Sequence, residues 1–394
     1  MLAPMVESRQ AVSQVSSPVP SAVTEELRRR SEEIEATRRI PADIAAMLCD
    51  HGLFATWIPA DYGGAERSAI EGLSSIAAVA EADGAAGWCV MIALTTSMMA
   101  YSLAPEHAKE IYHPRAVTGG FAAPMGTAVP VEGGLRVTGR WAWGSGTSHC
   151  TTIGGGVRLV DATGAPAPRD DGLAFPYVFF DEGDVTLLDT WHAAGLEGTG
   201  STDYTVTDAF VPEGRWVEPG RTTPVVDAAL ARFPLFGLLA LGVASVSVGL
   251  LRRALEDTIA LATAKRPQGS SKVLAERQTT QIDLAQAEAV LRSSWALIGD
   301  VVGDAWQTAQ TGGELSVEQR RLLRLAATDA TARCADAIRR LHLVAGGVDV
   351  YRSSPIQRAF RDSHVATQHV MVAERTYELA GRLLLDLPTD AGQL

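Results

Sequence analysis

The chain has 394 residues, 46% of them apolar and 20% charged, and a net charge of −12. Such a length can bury a large core in two or three lobes. The acidic balance excludes nucleic acid as a partner: the one basic run, Arg28-Arg29-Arg30, is interleaved with Glu25, Glu26, Glu32 and Glu33 and reads as a solvated helix face.

Residues 1–23 are rich in Ser, Pro, Val and Gln and lack the basic and apolar regions of a signal peptide, so they read as a disordered tail. Residues 24–115 then read as a helical domain. A charged first helix reaches Arg39, and Ile40-Pro41-Ala42-Asp43 opens a second that stops at Gly52. A turn at Pro59–Gly64 precedes helices at 68–82 and 85–103.

From 116 to 225 the texture changes to Gly, Thr, Val and Pro with short alternating runs such as Leu135-Arg136-Val137-Thr138 and Tyr204-Thr205-Val206-Thr207. Turns at Glu132-Gly133-Gly134 and Asp170-Asp171-Gly172 complete the pattern of a small antiparallel β domain. Residues 226–394 return to long helices at 226–264, 273–311, 316–345 and 354–385, which suits a four-helix bundle. One run, Phe233–Leu251, approaches membrane-spanning length, but its amphipathic flanks favour a buried bundle helix, and no membrane is expected. Cys49, Cys89, Cys150 and Cys334 show no CxxC pair and no metal-ligand spacing, so no metal is expected and a reduced, cytoplasmic setting fits. The expected fold is mainly α with a central β domain.

Several motifs appear in order along this frame. Gly139–Cys150 reads GRWAWGSGTSHC, and Pro59-x-x-Tyr62-Gly63-Gly64 stands before it. Trp191-x-x-x-Gly195-Leu196-x-Gly198-Thr199-Gly200-Ser201-x-Asp203 follows, and Gly346-Gly347 leads into Pro355-x-x-Arg358-x-x-Arg361-Asp362. Over residues 25–385 this pattern resembles the acyl-CoA dehydrogenase superfamily. The form Trp143-x-Ser145-Gly146-x-x-His149 is similar to its branch of two-component flavin monooxygenases.

The resemblance implies an N-terminal helical domain, an antiparallel β domain and a C-terminal four-helix bundle, assembled as a homotetramer, with dimer the alternative. It also implies cofactor contacts. Trp143 falls at the flavin-contact tryptophan and Ser145 at the hydroxyl near flavin N5, while Thr199, Gly200 and Ser201 offer N–H and hydroxyl groups. Arg266 and Gln278, with Lys272 nearby, resemble the element that a neighbouring subunit lends to the flavin, and Gly346 and Gly347 belong to the C-terminal signature.

A dehydrogenase needs a carboxylate base against the flavin. Nine residues after Arg361 stands Val370, which cannot take a proton, and beside it stands His369. The resemblance therefore implies His369 and Ser145 as catalytic residues of an oxygenase component. That component takes reduced FMN or FAD from a separate flavin reductase, since the chain has no GxGxxG βαβ unit, and reacts it with O2 to give a C4a-(hydro)peroxide. An imidazole titrating near neutrality suits this chemistry. The acceptor is a small organic, aromatic or polycyclic substrate. Thr96 and Ser97 stand where a phenol-binding histidine is common, which leaves room for an indole, sulfur, amine or polyketide acceptor. The alternative is an acyl-CoA dehydrogenase or oxidase with a displaced base, Glu256 or Glu288. A third reading is a silent relative that only binds a ligand.

Overall fold

The computed structural model of the chain describes residues 18–167, 175–219, 221–392 and 394. Most of the expected tail, and the turn at Asp170-Asp171-Gly172, lie outside those residues. The tail's expected end is corrected: Val19 is buried and α1 (Ser21–Thr37) already begins at Ser21, because Val23, Leu27 and Ile34 form one apolar stripe against the core.

The N-terminal domain continues with α2 (Ala42–Asp50), α3 (Ala69–Ala82), α4 (Gly84–Ser97) and α5 (Pro105–Ile111). A reciprocal capping box between Ser68 and Glu71 starts α3, and the Asp83 carboxylate accepts from Ala86 N at 2.9 Å to start α4. Every α4 residue except Ile92 is buried. A helix apolar all round belongs in the middle of a core, and α4 packs between α3, the sheet and the long bundle helix α6 (Leu235–Ala264). Glycines set these close crossings. A Cβ on Gly249 of α6 would lie 2.4 Å from Ala77 O of α3, and one on Gly87 would lie 2.4 Å from Ala80 Cβ.

Among the described residues seven strands follow: β1 (Thr118–Val131), β2 (Gly134–Gly144), β3 (Thr152–Leu159), β4 (Tyr177–Phe179), β5 (Val185–Leu188), β6 (Thr202–Pro212) and β7 (Trp216–Val217). Their order in one sheet is β5-β6-β2-β1-β3-β4-β7. The expectation of an antiparallel sheet is corrected. The β1–β2 hairpin is antiparallel, but β3 returns to the far edge of β1 and pairs with it in parallel. Trp141 anchors this domain, stacked on Tyr204 at 5.3 Å and donating to Gly156 O at 2.8 Å. Glycine at 126 and 155 leaves room for its ring.

The bundle comprises α6, α7 (Gln278–Gln310), α8 (Val317–Ala345), α9 (Pro355–Ala366) and α10 (Arg375–Leu384). Two starts come later than expected: Pro234 delays α6, and an exposed loop with a short 3₁₀ turn occupies 265–277. The expected helix 354–385 is in fact interrupted at 367–374. There β-branched Thr367, Val370 and Val372 disfavour continuation, and the Thr367 hydroxyl bonds back to His364 O at 2.7 Å. Besides α6, the stretch Gly84–Tyr101 is also apolar enough in length and composition to cross a membrane, which the sequence reading did not single out. Both are largely buried inside the protein.

Candidate active site

The antiparallel register of β2 and β6 builds one side of the site. Gly144, the last residue of β2, pairs with Thr202, the first of β6, so Ser145 and Ser201 emerge side by side. Their hydroxyls are 2.6 Å apart, Ser201 Oγ is 2.6 Å from Thr199 Oγ1, and Thr199 donates to Leu196 O at 2.8 Å. Gly146 N donates to Thr199 O at 2.9 Å, which joins the two loops through the backbone as well. Gly146 and Gly200 turn through the left-handed region, which glycine enters without a Cβ clash.

The second side comes from α4. Trp88 Nε1 donates to Ser145 Oγ at 3.1 Å. Trp88, Ile92 and Thr96 recur at four-residue spacing on one face of the helix. The third side is the α9–α10 break, where the His369 ring meets Trp88 edge-on at 5.7 Å. All three domains thus meet at one point, and a break in the helix, not a helix face, presents His369.

His369 departs from the expectation of a group titrating near neutrality. Burial, with the Arg324 guanidinium adding to it, pushes its pKa down to about 4. Nδ1 accepts from Met371 N at 3.3 Å, so the neutral ring carries its proton on Nε2. At neutral pH His369 is therefore a hydrogen-bond donor. Arg324, itself buried, holds the same turn by donating to Met371 O at 3.0 Å.

The loop carrying Thr199 and Ser201 is fastened from behind. Asp362 Oδ1 accepts from Leu196 N at 2.6 Å, and Leu196 sits at φ 50°. Burial first, with the Asp83 charge adding, pushes the Asp362 carboxyl up to about 7. Glu197, in the same loop, is bound by Arg352 and by Arg361. Glu35 joins the same network through Arg358 at 2.7 Å and through Arg361.

Trp143 lies at the rim. Trp141 fills the β-domain core, whereas Trp143 is 59% exposed, stands in a bulge at φ 59°, and meets Phe121 edge-on at 5.5 Å. A non-glycine residue in that region carries on the order of 1–2 kcal/mol of strain. An exposed, strained indole set edge-on to a second aromatic ring fits a flat ring system such as a flavin.

Other predicted residues lie apart from this cluster. Thr96 is buried two turns along α4 from Trp88, 2.7 Å from the Thr118 hydroxyl, and Ser97 bonds back to Leu94 O at 2.7 Å. Arg266, Gln278, Gly346 and Gly347 gather at one end of the bundle, where Lys265 donates to Ala345 O at 2.6 Å and Lys265 O accepts from Leu274 N. Among the described residues Arg266 reaches back to Ser271 O. Glu288 pairs with Arg292 and Glu256 with Arg28, so neither candidate base contacts the cluster.

A cavity of about 760 Å³ opens behind the Gly146–His149 turn, lined by Arg39, Cys49, His113, Arg115 and His149 among others. All four cysteines are unpaired, and burial pushes Cys150 and Cys334 up to about 12. Among the described residues no group of His, Cys, Asp and Glu could hold a metal. Sequence reasoning missed Trp88 and Arg324. A tryptophan after Gly84-Ala85-Ala86-Gly87, and an arginine at an apolar position of a helix, are the signals that could have found them.

Residues 12–120 match the acyl-CoA dehydrogenase N-terminal domain and residues 241–374 the C-terminal domain of that family. The chain is 30% identical to an indole-3-acetate monooxygenase of Pseudomonas putida over 374 residues, 93% of each chain. It is 26% identical to the flavin-dependent monooxygenase oxygenase subunit HsaA of Rhodococcus jostii, over 92% of this chain and 96% of that one. Among solved structures, the HsaA monooxygenase of M. tuberculosis superposes with a TM-score of 0.85 at 25% identity, covering 95% of this chain and 98% of the other.

Proposed function

The chain belongs to the acyl-CoA dehydrogenase family, in its branch of flavin-dependent monooxygenase oxygenase components, and on that premise we propose how its site works. It is an oxidoreductase that uses reduced flavin, FMN or FAD, with O2 to oxygenate an organic substrate. It works with a separate flavin reductase. Bound reduced flavin supplies the two electrons that activate oxygen.

The chain's own residues bind and orient. Trp143 and Phe121 offer the ring platform at the rim, and Thr199, Gly200 and Ser201 line the loop beside it. Ser145, held by Trp88 and Ser201, would stand at the N5 edge of a bound flavin. His369 would offer its Nε2–H to the site as a neutral hydrogen-bond donor. Trp88, Ile92 and Phe121 supply apolar surface for an aromatic or polycyclic acceptor, with Thr96 at the far end of the same face and Ser97 beside it.

The single observation that carries this reading is His369. The position beside Val370 holds a neutral imidazole against Trp88, and no carboxylate is among the groups that perturb it. Proton abstraction next to a thioester has no base there. The test is anaerobic addition of acyl-CoA to flavin-loaded protein, set beside aerobic turnover of aromatic candidates with reduced flavin supplied. Flavin bleaching by acyl-CoA would refute the reading, and oxygenated product that depends on reduced flavin would support it.

We also infer a homotetramer in the cytoplasm. Leu343, Val348, Val350 and Tyr351 are exposed around Gly346-Gly347, next to Lys265, which supports a subunit interface there. Such an interface lets Arg266, Gln278, Gly346 and Gly347 serve a neighbour's flavin. Four unpaired thiols support a reducing compartment. Light scattering on the purified chain tests the assembly, and a monomer at micromolar concentration would refute it.

A further inference from the structure

The hydroxyls of Ser145, Ser201 and Thr199 form a chain whose proton positions follow from counting donors. Trp88 Nε1 can only donate, and it points at Ser145 Oγ, 3.1 Å away. Leu196 O can only accept, and Thr199 Oγ1 lies 2.8 Å from it. Each hydroxyl has one proton. With the Thr199 proton committed to Leu196 O, the 2.6 Å contact between Thr199 and Ser201 must be donated by Ser201. The 2.6 Å contact between Ser201 and Ser145 must then be donated by Ser145. One arrangement satisfies all four contacts, and it runs from Trp88 to Ser145 to Ser201 to Thr199 to Leu196. Ser145, Ser201 and Thr199 are all buried, so no bulk water offers these protons another partner.

Ser145 Oγ is therefore left with one unused lone pair and no spare proton. A flavin in its reduced state carries a hydrogen on N5, and in its oxidised state carries a lone pair there. We propose that this one-way relay makes Ser145 an obligate acceptor toward N5, so that Ser201 and Thr199 act as positioning residues that select reduced over oxidised flavin. Reduced flavin completes Ser145 with a third hydrogen bond. Oxidised flavin sets two lone pairs against each other, or forces a relay contact to break so that Ser145 can donate. The Asp362 bond to Leu196 N holds the residue whose carbonyl ends the relay. The proposal rests on the flavin reading above, in which N5 lies beside Ser145.

The test is anaerobic equilibrium titration of the full-length protein with oxidised FMN and with chemically reduced FMN, then with FAD, read as the ratio of the two dissociation constants. Ser201→Ala releases the Ser145 proton directly. Thr199→Val, nearly the same shape, removes the acceptor beyond Ser201 and lets Ser201 turn toward Ser145. Each substitution is expected to cut the preference for reduced flavin by roughly three- to tenfold, the worth of one neutral hydrogen bond, mainly through tighter binding of the oxidised form. Thr199→Ser keeps the relay and should keep the ratio. If Ser145→Ala changes the ratio while Ser201→Ala and Thr199→Val leave it alone, the relay is overturned and the flavin position stands. If Ser145→Ala also leaves it alone, the flavin does not sit beside Ser145, and the reading beneath the proposal falls with it.

Discussion

Replacing Asp362 with asparagine tests whether a buried carboxyl, and not only a hydrogen bond, ties the site loop to the bundle. Asp362 accepts from Leu196 N at 2.6 Å, and burial lifts its pKa from 3.8 to about 7. The folded chain then holds a proton on Asp362 between about pH 4 and 7, where the unfolded chain has released it. Because the folded state binds more protons in that window, stability falls as pH rises through it. That rise, at about 1.36 kcal/mol per tenfold change in proton affinity, sets an upper bound of roughly 4 kcal/mol. Asp362→Asn keeps an acceptor for Leu196 N and cannot ionise. Guanidinium unfolding of both proteins from pH 4.5 to 8 should show the variant gaining on the wild type as pH rises, by up to ~4 kcal/mol, with the difference levelling off above about pH 8. Groups other than Asp362 contribute to both curves and largely cancel in the difference. Asp362→Ala strands the Leu196 N–H and should cost about 1–3 kcal/mol even at pH 4.5. A difference between wild type and Asp362→Asn that is the same at pH 4.5 and pH 8 would refute the raised carboxyl.

Four further outcomes follow from the same geometry. His369→Ala should lower product formed per reduced flavin by about tenfold or more while flavin binding holds, and His369→Asn, which retains a donor, should recover part of it. Since burial keeps His369 neutral above about pH 5, product yield should be level from pH 6 to 8, and a sigmoid near pH 6.5 would contradict the donor role. Trp143→Gly should raise stability by about 1 kcal/mol through relief of its left-handed backbone and weaken flavin binding by roughly five- to tenfold. Thermal melting and flavin titration read the two halves of that opposite-sign effect. Gly249→Ala should destabilise the fold by about 1–3 kcal/mol, because its Cβ would stand 2.4 Å from the Ala77 carbonyl oxygen where α3 crosses α6.

The order of elements was legible in the residues. The helix read at 68–82 and the alternation of β2 are local patterns, and local patterns survive into the fold. The Trp143–Ser145 and Thr199–Ser201 segments were legible as motifs, and with them the family. What was not legible is whatever depends on partners distant in sequence. The parallel pairing of β1 with β3 comes from where the chain crosses after the β1–β2 hairpin, which alternation does not encode. The fourth bundle helix read as continuous because its apolar period runs through 367–374, yet β-branched residues and hydroxyl capping break it there.

By itself, then, the sequence singled out Ser145 and His369 as expected site residues and ruled out Val370 as a base, because residue type sets what a side chain can do to a proton. Only the tertiary structure decided how they act. Burial and Arg324 turned His369 from an expected near-neutral titrating group into a neutral donor. The β2–β6 register and Trp88, 57 residues away in the chain, decided which way the Ser145 hydroxyl points. Both decisions rest on the local dielectric and on hydrogen-bond partners, and those exist only once the three domains have closed on one another.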